Sequence, residues 1–415
     1  MKGEIKTILS FYLLLIFLIT HFFSPWENII IGHGNDPLRG VVGLVNTGEP
    51  EGSYVYGVDE NWYDGVVHVF RYYENNDTFS HVGDYGSSYS TDYWMDIACY
   101  DLDEDNVTEC YVEGWHSTDK GELFKMFYNT SIETYEFEEI GPPDPTNRWY
   151  GWIENSLIFC DVNNDGKKEL YIKVHSNVIN TEGKIWKVVW NGSNYIISEI
   201  YHNLNFTKGY IASETCEDIT GDGFPDLVYG IRDTNGDGDI DNKGFLMLSW
   251  NGTNFESILY IPSDGTSYNN PIICKIENKT LLYFTSSRKI LDPVNFTLLL
   301  YDNHTKTFTN KFLLYLPEFP WARGACGDIN RDGKNDIVMG FDDGWIRSIE
   351  NVNGEYEIRD IIKVAPPHIN SNGAITDIFL NDTDEDKCKE IFYAANSNHM
   401  YGILKVLNRN TKIMP

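Results

Sequence analysis

An acidic loop of nine residues occurs five times in this chain, and its spacing limits the folds open to it. The clearest copy is Asp161-Val-Asn163-Asn-Asp165-Gly166-Lys-Lys-Glu169, with oxygen-bearing side chains at its first, third, fifth and ninth positions. The other copies are Asp101, Asp103, Asp105, Glu109; Asp218, Thr220, Asp222, Asp226; Asp328, Asn330, Asp332, Asp336; and Asp382, Asp384, Asp386, Glu390. Their starts lie 60, 57, 110 and 54 residues apart. The interval of 110 is two periods, so a repeat with no working loop is expected between the third and fourth copies. Self-similarity at a fixed period of this size means a repeat architecture.

Each loop is followed by a short apolar strand, a gap, a second alternating strand, an Asn-Gly-type turn and a third strand. In the third copy these are Leu227 to Ile231, Phe245 to Trp250, the turn Asn251-Gly252-Thr253-Asn254, and Phe255 to Ile261. Trp190-Asn191-Gly192-Ser193-Asn194-Tyr195 makes the same turn one repeat earlier. Asn-Gly favours tight hairpins because both residues tolerate positive φ. With the strand before the loop, each repeat has four antiparallel strands, the blade of a β-propeller. Pro271 to Ile276 and Leu281 to Ser286 supply the missing repeat with a shortened loop, and Gly40 to Val45, Tyr54 to Asp59 and Gly65 to Tyr73 supply one upstream. The expected fold is therefore all-β, a seven-bladed propeller over residues 26–415 with its acidic loops between the first and second strands. The last repeat lacks a fourth strand, and Asn28 to Gly32 is expected to complete it and close the ring.

Three or four carboxylates converging on one point suit a hard cation, and Ca²⁺ takes six to eight oxygens at flexible distances. Ordinary turn formation explains one such loop but not five with the same ninth-position oxygen. The loops resemble the FG-GAP or VCBS repeats of integrin α-subunit propellers and of secreted prokaryotic repeat proteins. That resemblance implies Ca²⁺ on the loop carboxylates and partner binding on the opposite face. The Phe-Gly signature is largely absent, and the glycine usual at the sixth position is Asn106 in the first loop and Lys387 in the last. Lys tolerates a left-handed backbone poorly, which puts the last site most in question. A separate stretch, Asp233, Asn235, Asp237, Asp239 and Asp241, opens like an EF-hand loop but has Gly244 where the bidentate Glu belongs. It is expected between the second and third strands of its blade, on the opposite face, as a candidate sixth cation site.

The 415 residues carry a formal charge of −30, which excludes nucleic acid or anionic lipid as the main partner. Residues 1–25 read as an export segment, with an apolar run from Ile8 to Phe23. It is short for a bilayer span and has no clear cleavage site, so a removed signal and a retained anchor both stay open. Ten Asn-x-Ser/Thr sequons, among them Asn76 and Asn129, fit export. Of seven Cys, Cys99, Cys160, Cys216, Cys274 and Cys326 fall near repeat starts and read as small buried residues on inner strands, with a Cys99–Cys110 disulfide open as a further reading.

Aromatic residues precede most loops: Trp94, Trp152, Tyr210, Tyr268 and Trp321. They are expected in the connections entering the inner strands, where they either pack between blades or, with Arg148, Arg323 and Arg232, form a ligand face. No nucleophile elbow, zinc-protease pair, Walker loop or dinucleotide fingerprint occurs. The favoured function is a secreted or surface-tethered Ca²⁺ propeller that binds an extracellular protein or glycan without catalysis. The alternative is a calcium-dependent polysaccharide lyase or glycosidase, with Asp239 and Asp241 as first candidate acids.

Overall fold

Runs of β-branched and aromatic residues bounded by Asn, Gly and Asp become strands, because a half-buried pleated surface accommodates such side chains. The computed structural model describes residues 26–406 apart from 35–37, 50–51, 60–64, 77, 87–91, 117–119, 142–156, 175–182, 204–207, 213–215, 234–243, 261–266, 277–278, 288–293, 303, 317–323, 353–354, 367–373 and 384–386. The candidate export segment thus lies outside the described residues, as do Asn235, Asp237, Asp239, Asp241, Trp152, Trp321, Arg148, Arg323, Asp384 and Asp386. Among the described residues no helix is long and apolar enough to cross a membrane.

Strand β1 (Trp26–His33) precedes blade 1, which comprises β2 (Leu38–Val45), β3 (Ser53–Asp59), β4 (Val66–Tyr73) and β5 (Thr78–Tyr85). Blade 2 is β6 (Asp92–Tyr100), β7 (Glu109–His116), β8 (Lys120–Asn129) and β9 (Thr134–Gly141). Blade 3 is β10 (Leu157–Cys160), β11 (Glu169–Val174), β12 (Gly183–Trp190) and β13 (Tyr195–Asn203). Blade 4 is β14 (Lys208–Ala212), β15 (Leu227–Asp233), β16 (Gly244–Trp250) and β17 (Phe255–Tyr260). Blade 5 is β18 (Ser267–Ile276), β19 (Lys279–Ser287), β20 (Val294–Asp302) and β21 (Thr307–Leu316). Blade 6 is β22 (Ala325–Gly327), β23 (Asp336–Gly340), β24 (Trp345–Val352) and β25 (Glu355–Lys363). Blade 7 contributes β26 (Ile375–Asn381), β27 (Glu390–Ala395) and β28 (Met400–Val406).

Every sheet has four strands, and in the seventh the order is β1-β28-β27-β26. The N-terminal strand therefore closes the ring, antiparallel to β28 from Trp26↔Val406 to His33↔Met400. Seven buried apolar clusters lie one between each pair of adjacent blades, including the cluster of Ile31, Val55, Phe70, Phe392 and Tyr401 across blades 7 and 1. Second strands are covered on both faces, as the unbroken burial of Glu390–Ala395 shows, whereas the outer strand β25 alternates. The recurrent inter-blade aromatics turn out to be tyrosines of the second strands: Tyr56, Tyr111, Tyr171, Tyr229, Tyr283 and Tyr393 are fully buried.

Two expectations are corrected. Trp94, Tyr210 and Tyr268 lie within the inner strands β6, β14 and β18, not in the connections before them, because those strands begin earlier than the apolar runs suggested. Cys160, Cys216, Cys274 and Cys326 are not isolated buried thiols: disulfides join Cys160 to Cys216 and Cys274 to Cys326. Inner strands converge on the axis, so equivalent positions of neighbouring blades come to Cα separations of 6.0 and 5.5 Å, within bonding range. Spanning 56 and 52 residues, each bridge is worth about 4 kcal/mol on chain-entropy grounds. The third disulfide, Cys99–Cys110, joins facing residues of β6 and β7. Cys388 remains a buried thiol, pushed up to about 11 by burial, so it is an inert core residue.

Candidate metal centre

The five acidic loops share one feature of their turn. In each, the first-position carboxylate accepts the sixth-position N–H through Oδ2: Asn106 to Asp101 at 2.9 Å, Gly166 to Asp161 at 2.8 Å, Gly223 to Asp218 at 2.8 Å, Gly333 to Asp328 at 2.8 Å, and Lys387 to Asp382 at 2.9 Å. The sixth residue is left-handed in all five, with φ of 69, 89, 96, 81 and 73° in that order. Lys387 thus takes the conformation its neighbours reach with Gly or Asn. The fifth-position carboxylates of Asp105, Asp165, Asp222 and Asp332 accept the N–H two residues on, at 2.8–2.9 Å. These turns spend one oxygen of each of those fifth-position carboxylates on backbone, and both oxygens of Asp101, Asp161, Asp218 and Asp328.

What remains differs between loops. In blade 4, Asp226 is fully buried; its Oδ2 accepts the N–H groups of Ile219 and Thr220 at 2.7 and 2.9 Å, while Oδ1 has no partner among the described residues. Burial pushes its carboxyl up to about 6. In blade 6, Asp336 is 3% exposed with Oδ2 likewise unpartnered, and burial followed by the charges of Glu350, Asp332 and Asp328 pushes it up to about 7. Buried carboxylate oxygens without donors are costly, and a divalent ion on the loop is the group that would relieve them. The residues fit a hard cation in these two loops: Asp218, Thr220, Asp222 and Asp226, and Asp328, Asn330, Asp332 and Asp336. In blade 7, Asp382 Oδ1 has no partner among the described residues, which omit 384–386, while Glu390 Oε2 accepts the N–H and Oγ1–H of Thr383 at 2.7 and 2.6 Å.

Blades 2 and 3 carry an internal cation that sequence spacing alone did not reveal. Lys125 on β8 places Nζ 2.6 Å from Asp103 Oδ2 and 3.1 Å from Glu109 Oε1, and Lys187 on β12 places Nζ 3.3 Å from Glu169 Oε1. Both lysines stand opposite a buried tyrosine of the second strand, Tyr111 or Tyr171, two residues beyond the ninth-position Glu. Burial still holds Glu109 up at about 7 despite Lys125, with Asp103 and Asp105 adding to the rise. Asp101, Asp103 and Glu109 bring ligand atoms within 4.8 Å of one another, so a metal in this loop competes with an ammonium for the same oxygens.

The two degenerate repeats are equally clear. In blade 5, β18 and β19 pair as far as Ile276 with Lys279, so two residues replace the loop. In blade 1, Glu49 turns inward and accepts from Thr47 N at 2.6 Å, Thr47 Oγ1 at 2.8 Å, Tyr56 OH at 2.6 Å and Tyr135 OH of blade 2. Hydroxyls satisfy this carboxylate where a cation would otherwise be needed.

A second polar cluster, unmarked in the sequence, lies at the seam of blades 7 and 1 on the opposite edge. Buried His68 of β4 contacts Asp59 Oδ2 through Nε2 at 3.0 Å and Asp84 Oδ1 through Nδ1 at 2.7 Å, and His81 Nε2 lies 2.6 Å from that same Oδ1. Burial disfavours charge on His68, but Asp59 and Asp84 outweigh it and raise its pKa. Asp84 is lowered because the two histidines outweigh its partial burial.

No protein-family profile and no curated protein matches the chain. Among solved structures, an α-L-arabinanase of Penicillium chrysogenum complexed with arabinobiose aligns at TM-score 0.48 and 12% identity, over 76% of this chain and 94% of that one. An α-L-arabinofuranosidase of Fusarium graminearum bound to an iminosugar inhibitor aligns at TM-score 0.49 and 10% identity, over 77% and 94%.

Proposed function

We propose that this chain is an extracellular, calcium-stabilised propeller of the FG-GAP or VCBS type that binds a glycan or protein on the face opposite its acidic loops. The observation that carries the reading is the common loop turn with buried carboxylate oxygens at Asp226 and Asp336 that have no donor among the described residues. Three disulfides support an oxidising compartment. The net charge of −30, read together with the loops, is charge that bound Ca²⁺ partly neutralises. Asp161, Asn163, Asp165 and Glu169, with Asp101, Asp103, Asp105 and Glu109, are weaker sites on this reading because Lys187 and Lys125 already supply positive charge.

Calcium titration of single variants tests this division. Asp336→Asn is expected to remove one high-affinity site and to stabilise the calcium-free protein, since it replaces an unfavourably buried charge with a neutral isostere. Lys125→Met is expected to add or tighten one site. An unchanged titration in both would remove the metal reading from these loops.

For the ligand, affinity electrophoresis of the calcium-loaded ectodomain through a panel of polysaccharides, including an arabinose polymer, is followed by a reducing-end assay on any gel that retards it. Retardation without new ends is the expected result. New reducing ends would establish the alternative, a polysaccharide-cleaving enzyme, and no retardation would direct the search to protein ligands.

A further inference from the structure

We propose that His68, His81 and Asp84 form a zinc-class transition-metal site on the outer rim of blade 1, separate from the acidic loops. The site is made by a β-bulge. Residues three apart in a regular strand point to opposite faces, but β5 slips register between Val69↔Gly83 and Phe70↔His81, so that His81 and Asp84 stand on one face opposite Phe70 and His68. The ligand atoms of the three side chains all lie within 4.8 Å of one another.

Two imidazoles and a carboxylate are a donor set for Zn²⁺ rather than for Ca²⁺, which prefers oxygen alone. Asp84 Oδ1 stands 2.7 Å from His68 Nδ1 and 2.6 Å from His81 Nε2. Bonds of about 2.0–2.1 Å in tetrahedral geometry separate ligand atoms by about 3.3 Å, so the donors must open by roughly 0.6 Å. His81 and Asp84 have side chains 47% and 42% exposed and are free to make that shift. His68 is the fixed member, 1% exposed, packed beside Tyr401 and close to Gly34, where an added Cβ would come 3.2 Å from His68 Nε2.

Asp59 has the place of an outer-shell carboxylate. Also 1% exposed, it accepts from His68 Nε2 and so leaves Nδ1 as the ligating atom. A carboxylate behind a metal-bound histidine fixes its tautomer and raises its basicity. On binding, the metal displaces both hydrogen-bond protons from Asp84 Oδ1: the one on His68 Nδ1 goes to solvent, the one on His81 Nε2 moves to that ring's Nδ1, and His68 Nε2–H stays donated to Asp59. Three protein ligands leave a fourth position open to solvent at the rim. The acidic loops are on the other edge of the ring, so this site neither uses nor requires their calcium.

The test is calorimetric titration of the calcium-saturated full chain with ZnCl₂. Wild type is expected to show one site that His81→Ala or Asp84→Asn removes, or weakens at least tenfold, with the calcium-loaded melt of His81→Ala unchanged. His81 is an exposed side chain, so loss of folding does not confound that variant, and Asp84→Asn is read only with native circular dichroism. Asp59→Asn, if its circular dichroism is native, is expected to weaken zinc 10–100-fold without removing the site. Equal zinc binding by wild type and His81→Ala, or no stoichiometric site in wild type, would overturn the proposal and leave the cluster as a histidine–carboxylate hydrogen-bond relay.

Discussion

Deletion of Trp26–His33 is expected to abolish the single cooperative melt of the propeller. This strand is the fourth of blade 7, and without it β28 presents an unpaired edge from Met400 to Val406. The strand also closes the apolar seam in which Ile31 packs with Phe70 and Tyr401, and Tyr393 OH donates to Asn28 Oδ1 at 2.9 Å. Losing these contacts and the ladder costs on the order of 5 kcal/mol or more by area and hydrogen-bond bookkeeping. The remaining hydrogen bonds across the seam include Val41 N to Asp377 Oδ2 at 3.0 Å and Asn381 Nδ2 to Gly43 O at 3.1 Å between inner strands, and Tyr401 OH to Val58 O at 2.9 Å and Lys405 Nζ to Tyr72 OH at 3.0 Å from β28, and none of them replaces the lost ladder. Gly32→Val offers a single-residue version: an added Cβ would stand 2.1 Å from Phe70 Cε1, so β1 must be pushed off β4. Differential scanning calorimetry reads both. Ile30→Thr, at a side chain 53% exposed on the same strand, is the control expected to change little.

Removal of Ca²⁺ is expected to produce the second large effect, and its size should depend on pH. In the metal-free protein Asp226 is held up at about 6, and Asp336 and Glu109 at about 7, chiefly by burial. A carboxyl whose folded pKa exceeds its unfolded value contributes stability that is full below the unfolded value and is lost as pH rises through the folded one. In chelator the melting temperature should therefore fall between about pH 4 and pH 8, with Asp226 alone accounting for on the order of 3 kcal/mol. His68, also raised, acts in the same direction. On the proposed calcium reading the ionised carboxylates are ligands, and each site at a hundredfold excess over its Kd would add about 2.7 kcal/mol. The gap between the calcium and chelator melts is thus expected to widen from pH 5 to pH 8. A gap that is absent at pH 8 would defeat the structural role of the metal.

The architecture was legible because a repeat states its own boundaries. The loop spacing, the Asn-Gly turns at Asn191 and Asn251, and the orphan strand before the first repeat led to seven blades and to the ring closure that β1 makes with β28. Strand starts were less legible: Trp94, Tyr210 and Tyr268 lie inside strands whose first residues are polar or glycine and carry no apolar period.

Local geometry follows from the chain's own order, since positions one and six of each loop interact within a few residues, and even Lys387 follows Gly166 into the left-handed region. The tertiary structure alone decided everything that depends on which strands are neighbours. It paired Cys160 with Cys216 and Cys274 with Cys326 across blades, and brought Lys125 and Lys187 from third strands onto loop carboxylates. It also used one bulged residue to turn His81 and Asp84 toward His68. Those contacts are set by radial packing about the ring axis and by strand register, neither of which leaves a periodic trace in the chain.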